Sequence, residues 1–258
     1  MRMRTTITLL ATLVTFTGCD EEKPGASSAA PTTTSAATQK PATTTASATP
    51  APRKPPRTCP TGADMTFEDP PLEAAVRKQL QKPDGPIKKA ELSKVKTLDL
   101  SQATGLVALD NCVMPELKGL TALYLAPGEI DDISLVKGLG NLESLRLSAT
   151  KIKDISALAD LTKLDRLDLG RTAVTDLGAL SKLTNLTEIM LDQTEVTDLA
   201  PLAKLEKLEV LNIKNTRVKD VSPLKDLKKL KHLYIEGSLV SDIGMLKDLT
   251  QLKIHQGT

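Results

Sequence analysis

The amino-acid sequence predicts an α/β solenoid, with a parallel β-sheet on its concave face, short 3-10 or irregular helical turns on its convex face and a small helical N-terminal cap. Three observations carry this expectation. Leu142, Leu164, Leu186, Leu208, Leu230 and Leu252 recur at one constant spacing, and Leu120 extends the series backward. A unit that short cannot bury its apolar face alone, so it must stack on copies of itself. A second series, Asp132, Asp154, Asp176, Asp198, Asp220 and Asp242, keeps the same period. Aromatic residues make up only 2% of the chain and Trp is absent, so the core must be filled by aliphatic side chains in many thin, equal layers.

The N-terminus has a different grammar. Arg2 and Arg4 precede an apolar stretch over residues 7–16 and then Gly18-Cys19, which reads as an export signal over residues 1–18. The stretch is too short to cross a bilayer as a mature helix. The segment Phe16-Thr17-Gly18-Cys19 resembles a bacterial lipobox, and that resemblance implies cleavage before Cys19 and lipidation of its thiol. The bound acyl chains would hold the protein on a membrane, since each buried methylene contributes about 0.8 kcal/mol. Residues 19–57 are almost entirely Ala, Thr, Ser and Pro. Such a segment buries too little to offset its ordering entropy and is expected to act as a tether averaging roughly 35 Å end to end. With Cys19 assigned to lipid, Cys59 and Cys112 remain. Outside the cytoplasm two thiols usually form one disulfide, the alternative being two unpaired cysteines.

Residues 58–94 are expected to form the cap. Asp69-Pro70-Pro71 opens a helical pattern with Leu72, Val76 and Leu80 on one face, the Asp suited to the N-cap and Pro to the first turn. Pro83-Asp84-Gly85-Pro86 breaks it, and a second short helix is expected over residues 88–93. Repeats then fill residues 95–258. Within each, the pattern Leu-x-x-Leu-x-Leu, as in Leu142, Leu145 and Leu147, gives a short strand with its leucines inward. Strands about 4.8 Å apart should stack into the sheet, and each Asp of the second series should cap a short convex turn closed by residues such as Leu158 and Leu161. Between Leu100 and Leu120 a few extra residues, Pro115 among them, predict a loop that holds Cys112.

These residues resemble the leucine-rich repeat family, and the 22-residue length with its Asp-Ile-Ser type of second half is similar to the internalin class of bacterial repeats. The resemblance covers roughly residues 95–258. Where that family stacks Asn inside each turn, this chain has Thr150, Thr172, Thr194, Thr216 and Ser238. A hydroxyl can still donate and accept, so a weaker ladder is expected. Gly128 lacks even that, and its turn should be looser.

Chemistry is sparsely represented. His232 and His255 are the two histidines, separated by one repeat and one further position, and neither falls in a His-x-x-x-His or Cys-x-x-Cys spacing. Neither a Gly-x-Ser-x-Gly elbow nor a phosphate loop occurs. No catalytic residue, metal or cofactor is expected, and the Asp series, repeating once per turn, points to capping and not to calcium. A formal charge of +2 argues against nucleic acid. Binding is the expected activity, in a monomer whose only membrane contact is its lipid. Alternation along the strands places Tyr124, Ser144, Arg146, Ser148, Arg166, Asp168, Glu188, Met190, Asp192, Val210, Asn212, Lys214, His232, Tyr234 and Glu236 on the concave surface. From these, Tyr124, Arg146, Arg166, Asp168, Glu188, Met190, Asn212, Lys214, His232 and Tyr234 form the expected contact set for a protein or peptide. The alternative is an adhesive envelope component holding acidic polymer through residues 204–231, where nine Lys or Arg face four acids.

Overall fold

The computed structural model describes residues 56–257. The predicted signal, Cys19 and the tether up to residue 55 lie outside the described residues. Among the described residues no helix is long and apolar enough to cross a membrane.

The order of elements is β1 (Asp64–Met65), α1 (Pro70–Leu80), β2 (Ile87–Lys88), α2 (Lys89–Leu92), and then the sheet strands β3 (Thr97–Leu100), β4 (Ala122–Leu125), β5 (Ser144–Arg146), β6 (Arg166–Asp168), β7 (Glu188–Met190), β8 (Val210–Asn212), β9 (His232–Tyr234) and β10 (Lys253–His255). Strands β3 to β10 form one sheet in chain order, every neighbouring pair parallel. The connections between them carry one 3-10 turn each, from Met114–Glu116 to Gly244–Leu246. The chain is therefore an α/β solenoid.

Each repeat builds the same cross-section. Leu145 and Leu147 point inward from the strand side, Ile152 and Ile155 from the far edge, and Leu158, Leu161 and Leu164 close the layer from the convex side, all fully or almost fully buried. The convex turn starts at the Asp of the second series. Asp154 Oδ1 accepts the Ser156 N–H at 2.8 Å, and Asp132, Asp176, Asp198, Asp220 and Asp242 accept the N–H two residues on at 2.7–2.8 Å. One orphan donor per turn is thereby satisfied.

The inner ladder uses its hydroxyls one way. Thr150, Thr172, Thr194 and Thr216 are buried, and each donates to the carbonyl three residues back, Leu147, Leu169, Leu191 and Ile213, at 2.7 Å. The residue before each Thr turns the backbone left-handed. Ala149, Arg171, Gln193 and Asn215 have φ of 53–58°, and Gly237 has φ 68° in the next repeat. A Cβ at Gly237 would lie 2.1 Å from Asn215 Oδ1, so the Asn215 side chain would have to move to admit one. At the turn without a hydroxyl, the Gly128 N–H donates to the Ala149 carbonyl at 3.0 Å.

Helix α1 packs on β3 through Leu72 and Val76, covering the first layer. Asp69 occupies its N-cap with extended backbone but makes no side-chain capping bond, and Pro70 and Pro71 preset the first turn. The antiparallel pair β1–β2, which the sequence reading did not anticipate, ties the chain before α1 to the chain after it.

The predicted loop after β3 sets the one large register offset. Thr97 pairs with Ala122, a step three positions longer than the regular one from Ala122 to its partner Ser144. In this loop Cys112 forms a disulfide with Cys59. Arg57, assigned to the tether by composition, is already part of the folded unit. Its guanidinium donates to both oxygens of buried Asp110, at 3.1 and 2.9 Å, and to the Thr66 hydroxyl and carbonyl. Asp110 Oδ1 also accepts the Cys112 and Val113 N–H groups. Asn111 completes the clasp by exchanging hydrogen bonds with the Arg57 backbone. The tether's low-complexity composition hid this contact, because one Arg in a Pro-rich run carries no periodic signal.

Candidate functional site

Parallel in-register pairing turns the outward strand positions into files across the sheet. The third positions form Asp99, Tyr124, Arg146, Asp168, Met190, Asn212, Tyr234 and His255, and the first positions form Thr97, Ala122, Ser144, Arg166, Glu188, Val210, His232 and Lys253. All ten residues of the expected contact set fall on this face, with Lys214 just past the end of β8. The inward partners Leu145, Leu167, Ile189, Leu211 and Leu233 hold the backbone beneath them. Every visible side chain thus sits on rigid backbone at a spacing of about 4.8 Å between neighbours.

Charge on the face alternates and is largely internally matched. Arg146 lies 5.4 Å from the Tyr124 ring centroid and 3.5 Å from Asp168. Arg166 approaches Asp165 at 3.6 Å and Glu188 at 3.9 Å, and remains 66% exposed. The Asn212 amide donates to Asp192 at 3.2 Å. Lys214 pairs with Glu236 at 2.9 Å while its ammonium sits 5.5 Å from the Tyr234 ring. The Glu236 hydrogen bond raises the Lys214 pKa above its ordinary value. At the opposite end, hydrogen bonds from Ser101 hold Asp99 below the usual carboxylate range.

The face ends in rings. Tyr234 stacks on His255 with centroids 4.2 Å apart, and His232 flanks both, 5.5 Å from His255 and 6.3 Å from Tyr234. Sequence reasoning missed His255 as a surface residue because the last repeat breaks the period. Lys253 pairs with His232, one position short of a full repeat, and Ile254 pairs with Leu233. An unbroken period would have put His255 in the inward place of Leu233; the one-residue slip buries Ile254 in part instead and turns the imidazole outward. A short apolar pattern, Leu252-x-Ile254 in place of Leu-x-x-Leu, was the signal available.

Cations of residues 204–231 do not share one surface. Lys214 is on the concave side, Lys231 pairs with Glu209 at the edge leading into the strands, Lys207 donates to Asn185 along that edge, and Lys225 caps a convex turn. Open hollows of about 340 Å³ by Arg77, Lys78, Gln81, Lys82 and Pro83 and about 290 Å³ by Ile235, Gly237, Ser238, Val240, Ser241, Ile243 and Gln256 lie away from the strand files. Among the described residues no group of three or more His, Cys, Asp or Glu could hold a metal.

Comparison with known proteins agrees with this architecture. The family model described as Leucine Rich repeats (2 copies) matches residues 206–249. Among solved structures, internalin C2 of Listeria monocytogenes is 29% identical with a TM-score of 0.66, over 74% of this chain and 94% of that one. Internalin F of the same species is 31% identical with a TM-score of 0.65, over 73% of this chain, which spans 56% of internalin F. A leucine-rich repeat protein of Leptospira interrogans, 22% identical with a TM-score of 0.52, covers 65% of this chain and 51% of that one and shares the fold. Among curated proteins none matches the chain. Repeat period, parallel sheet and convex 3-10 turns make the chain a leucine-rich repeat solenoid, and its repeats are similar to those of the internalins.

Proposed function

We propose that this chain is an exported, lipid-anchored binding module of the bacterial cell envelope that recognises a protein or peptide along its concave face. The observation that carries the reading is the pair of in-register files. Eight strands about 4.8 Å apart offer a surface about 34 Å long, far larger than a small-molecule cleft and suited to a folded domain or an extended peptide. Its backbone is held by the core while most of its outward residues lie outside that core, which is the division of labour a recognition surface needs. Tyr124 with Arg146 at one end and Tyr234 with His255 at the other supply the residue types that concentrate binding energy. The leucine-rich repeat fold itself suits protein–protein binding.

Lipid attachment at Cys19 and export rest on the N-terminal sequence, and the Cys59–Cys112 disulfide is consistent with an oxidising compartment. Labelled palmitate should enter the wild-type protein and be absent from Cys19→Ala. For the concave face, the variant Arg146→Ala/Arg166→Ala/Tyr234→Ala should lose capture of an envelope partner that the wild type retains, with unchanged far-ultraviolet circular dichroism. Equal capture by the two proteins would overturn the concave-face reading and leave the anchoring result to stand on its own.

A further inference from the structure

We propose that His232 and His255 form a two-imidazole site for a divalent transition metal at the C-terminal end of the concave face. The sequence separates these histidines by more than a full repeat, outside any single-segment ligand spacing, but parallel pairing of β9 with β10 brings them to adjacent strands. His232 Nδ1 and His255 Nε2 stand 3.2 Å apart. Two imidazole nitrogens bound to one tetrahedral zinc at about 2.0–2.1 Å each are separated by about 3.3 Å, so the existing gap already matches the bite of a shared ion. Without metal one of these nitrogens donates its N–H to the other; binding a shared ion requires the donor ring to carry its proton on its other nitrogen instead, which frees both facing nitrogens as ligands.

Neither ring is free to wander. His255 is stacked on Tyr234 with an interplanar angle of 12°, and His232 lies at 20° to the same ring. Both histidines are half-buried, and water would take the remaining coordination positions. Imidazole is the donor that suits Zn²⁺, Ni²⁺ and Cu²⁺, whereas Mg²⁺ demands oxygen ligands. The charged neighbours are Lys253, which pairs with His232 in the strand register, and the Lys214–Glu236 ion pair beside Tyr234; Lys231 is engaged by Glu209. The Glu236 side chain lies beside Gly257, two residues beyond His255. The register slip that exposes His255 is what creates the pair, since a regular repeat would have placed that side chain in the core.

Calorimetric titration of the full chain with ZnCl₂ at about pH 7.5, where free imidazole is mainly neutral, tests the site without any protein partner. One equivalent of Zn²⁺ should bind, and MgCl₂ should give no heat. His232→Ala and His255→Ala should each weaken the Zn²⁺ affinity by about tenfold or more, and the histidine ring resonances of the wild type should shift together during the titration. Lys137→Ala, at a distant convex turn, should bind as wild type does. Absence of Zn²⁺ binding, or undiminished binding by folded His232→Ala/His255→Ala, would overturn the proposal while leaving protein recognition by the rest of the face untouched.

Discussion

Each turn of the solenoid depends on three residues with separate duties. The buried Thr172 hydroxyl donates to the Leu169 carbonyl, and Thr172→Val, which keeps the shape and removes the donor, should cost about 1 kcal/mol in urea denaturation. A neighbouring position works against stability. Ala149 is held at φ 58°, a region costly for any residue with a Cβ, so Ala149→Gly should raise stability by about 0.5–1 kcal/mol, the relief of strain exceeding the added chain entropy. On the convex side, hydrogen bonds from the Ser156 and Ser222 backbone and hydroxyls hold Asp154 and Asp220 below the usual carboxylate range. A carboxyl depressed in the folded state stabilises it above the unfolded pKa of about 4, and that contribution is lost as pH falls from there through the folded value. Asp154→Asn/Asp220→Asn should therefore show a shallower loss of stability in that acid range when melting temperature is followed against pH. Sequence alone placed the Asp and Thr series but not the left-handed residues between them, because Ala149, Arg171, Gln193 and Asn215 share no chemistry; only the backbone conformation unites them.

At the level of elements, the cap and the first repeat are locked at one close approach. A Cβ on Gly119 would lie 1.9 Å from the Ser93 carbonyl oxygen, and backbone cannot step aside as a side chain can. Gly119→Ala should cost about 2 kcal/mol or more, read by thermal unfolding, and should loosen the cap before the distal repeats. The strap formed by residues 57–59, ahead of β1, is held by covalent and ionic means together. Cys59 and Cys112 are bridged across a sequence separation of 53, a loop whose closure is worth about 4 kcal/mol on the chain-entropy model, and Asp110 is buried with Arg57 as its ionic partner. Reductant should lower the melting temperature, and Arg57→Ala should cost about 3 kcal/mol by leaving a buried carboxylate without its cation. The sheet strands and convex turns were legible because a fixed period repeats the same apolar signal. The strap was not, since it depends on contacts between residues far apart in the chain. The register of β10 was hidden too, because a one-residue deletion leaves its leucine, Leu252, on the ladder while shifting everything after it.

For the whole molecule, stacking decides both stability and use. Every layer buries aliphatic side chains against the next and leaves most outward strand residues outside the core, so recognition can vary along the face without altering the fold. The sequence identified the ten residues expected on that face because alternation along a strand has a strict period of two, and the structure adds Thr97, Asp99, Ala122, Lys253 and His255, which lie where the repeat is irregular. We propose that this face, and not the convex side, meets a protein. A photo-crosslinking amino acid placed at Met190 or Asn212, in the middle of the concave file, and at Ala203 or Lys225, on exposed convex turns, tests it most directly in cells that make the protein. A discrete protein adduct from the two concave positions and none from the convex pair is the predicted result; adducts from the convex positions with the concave pair silent would contradict it.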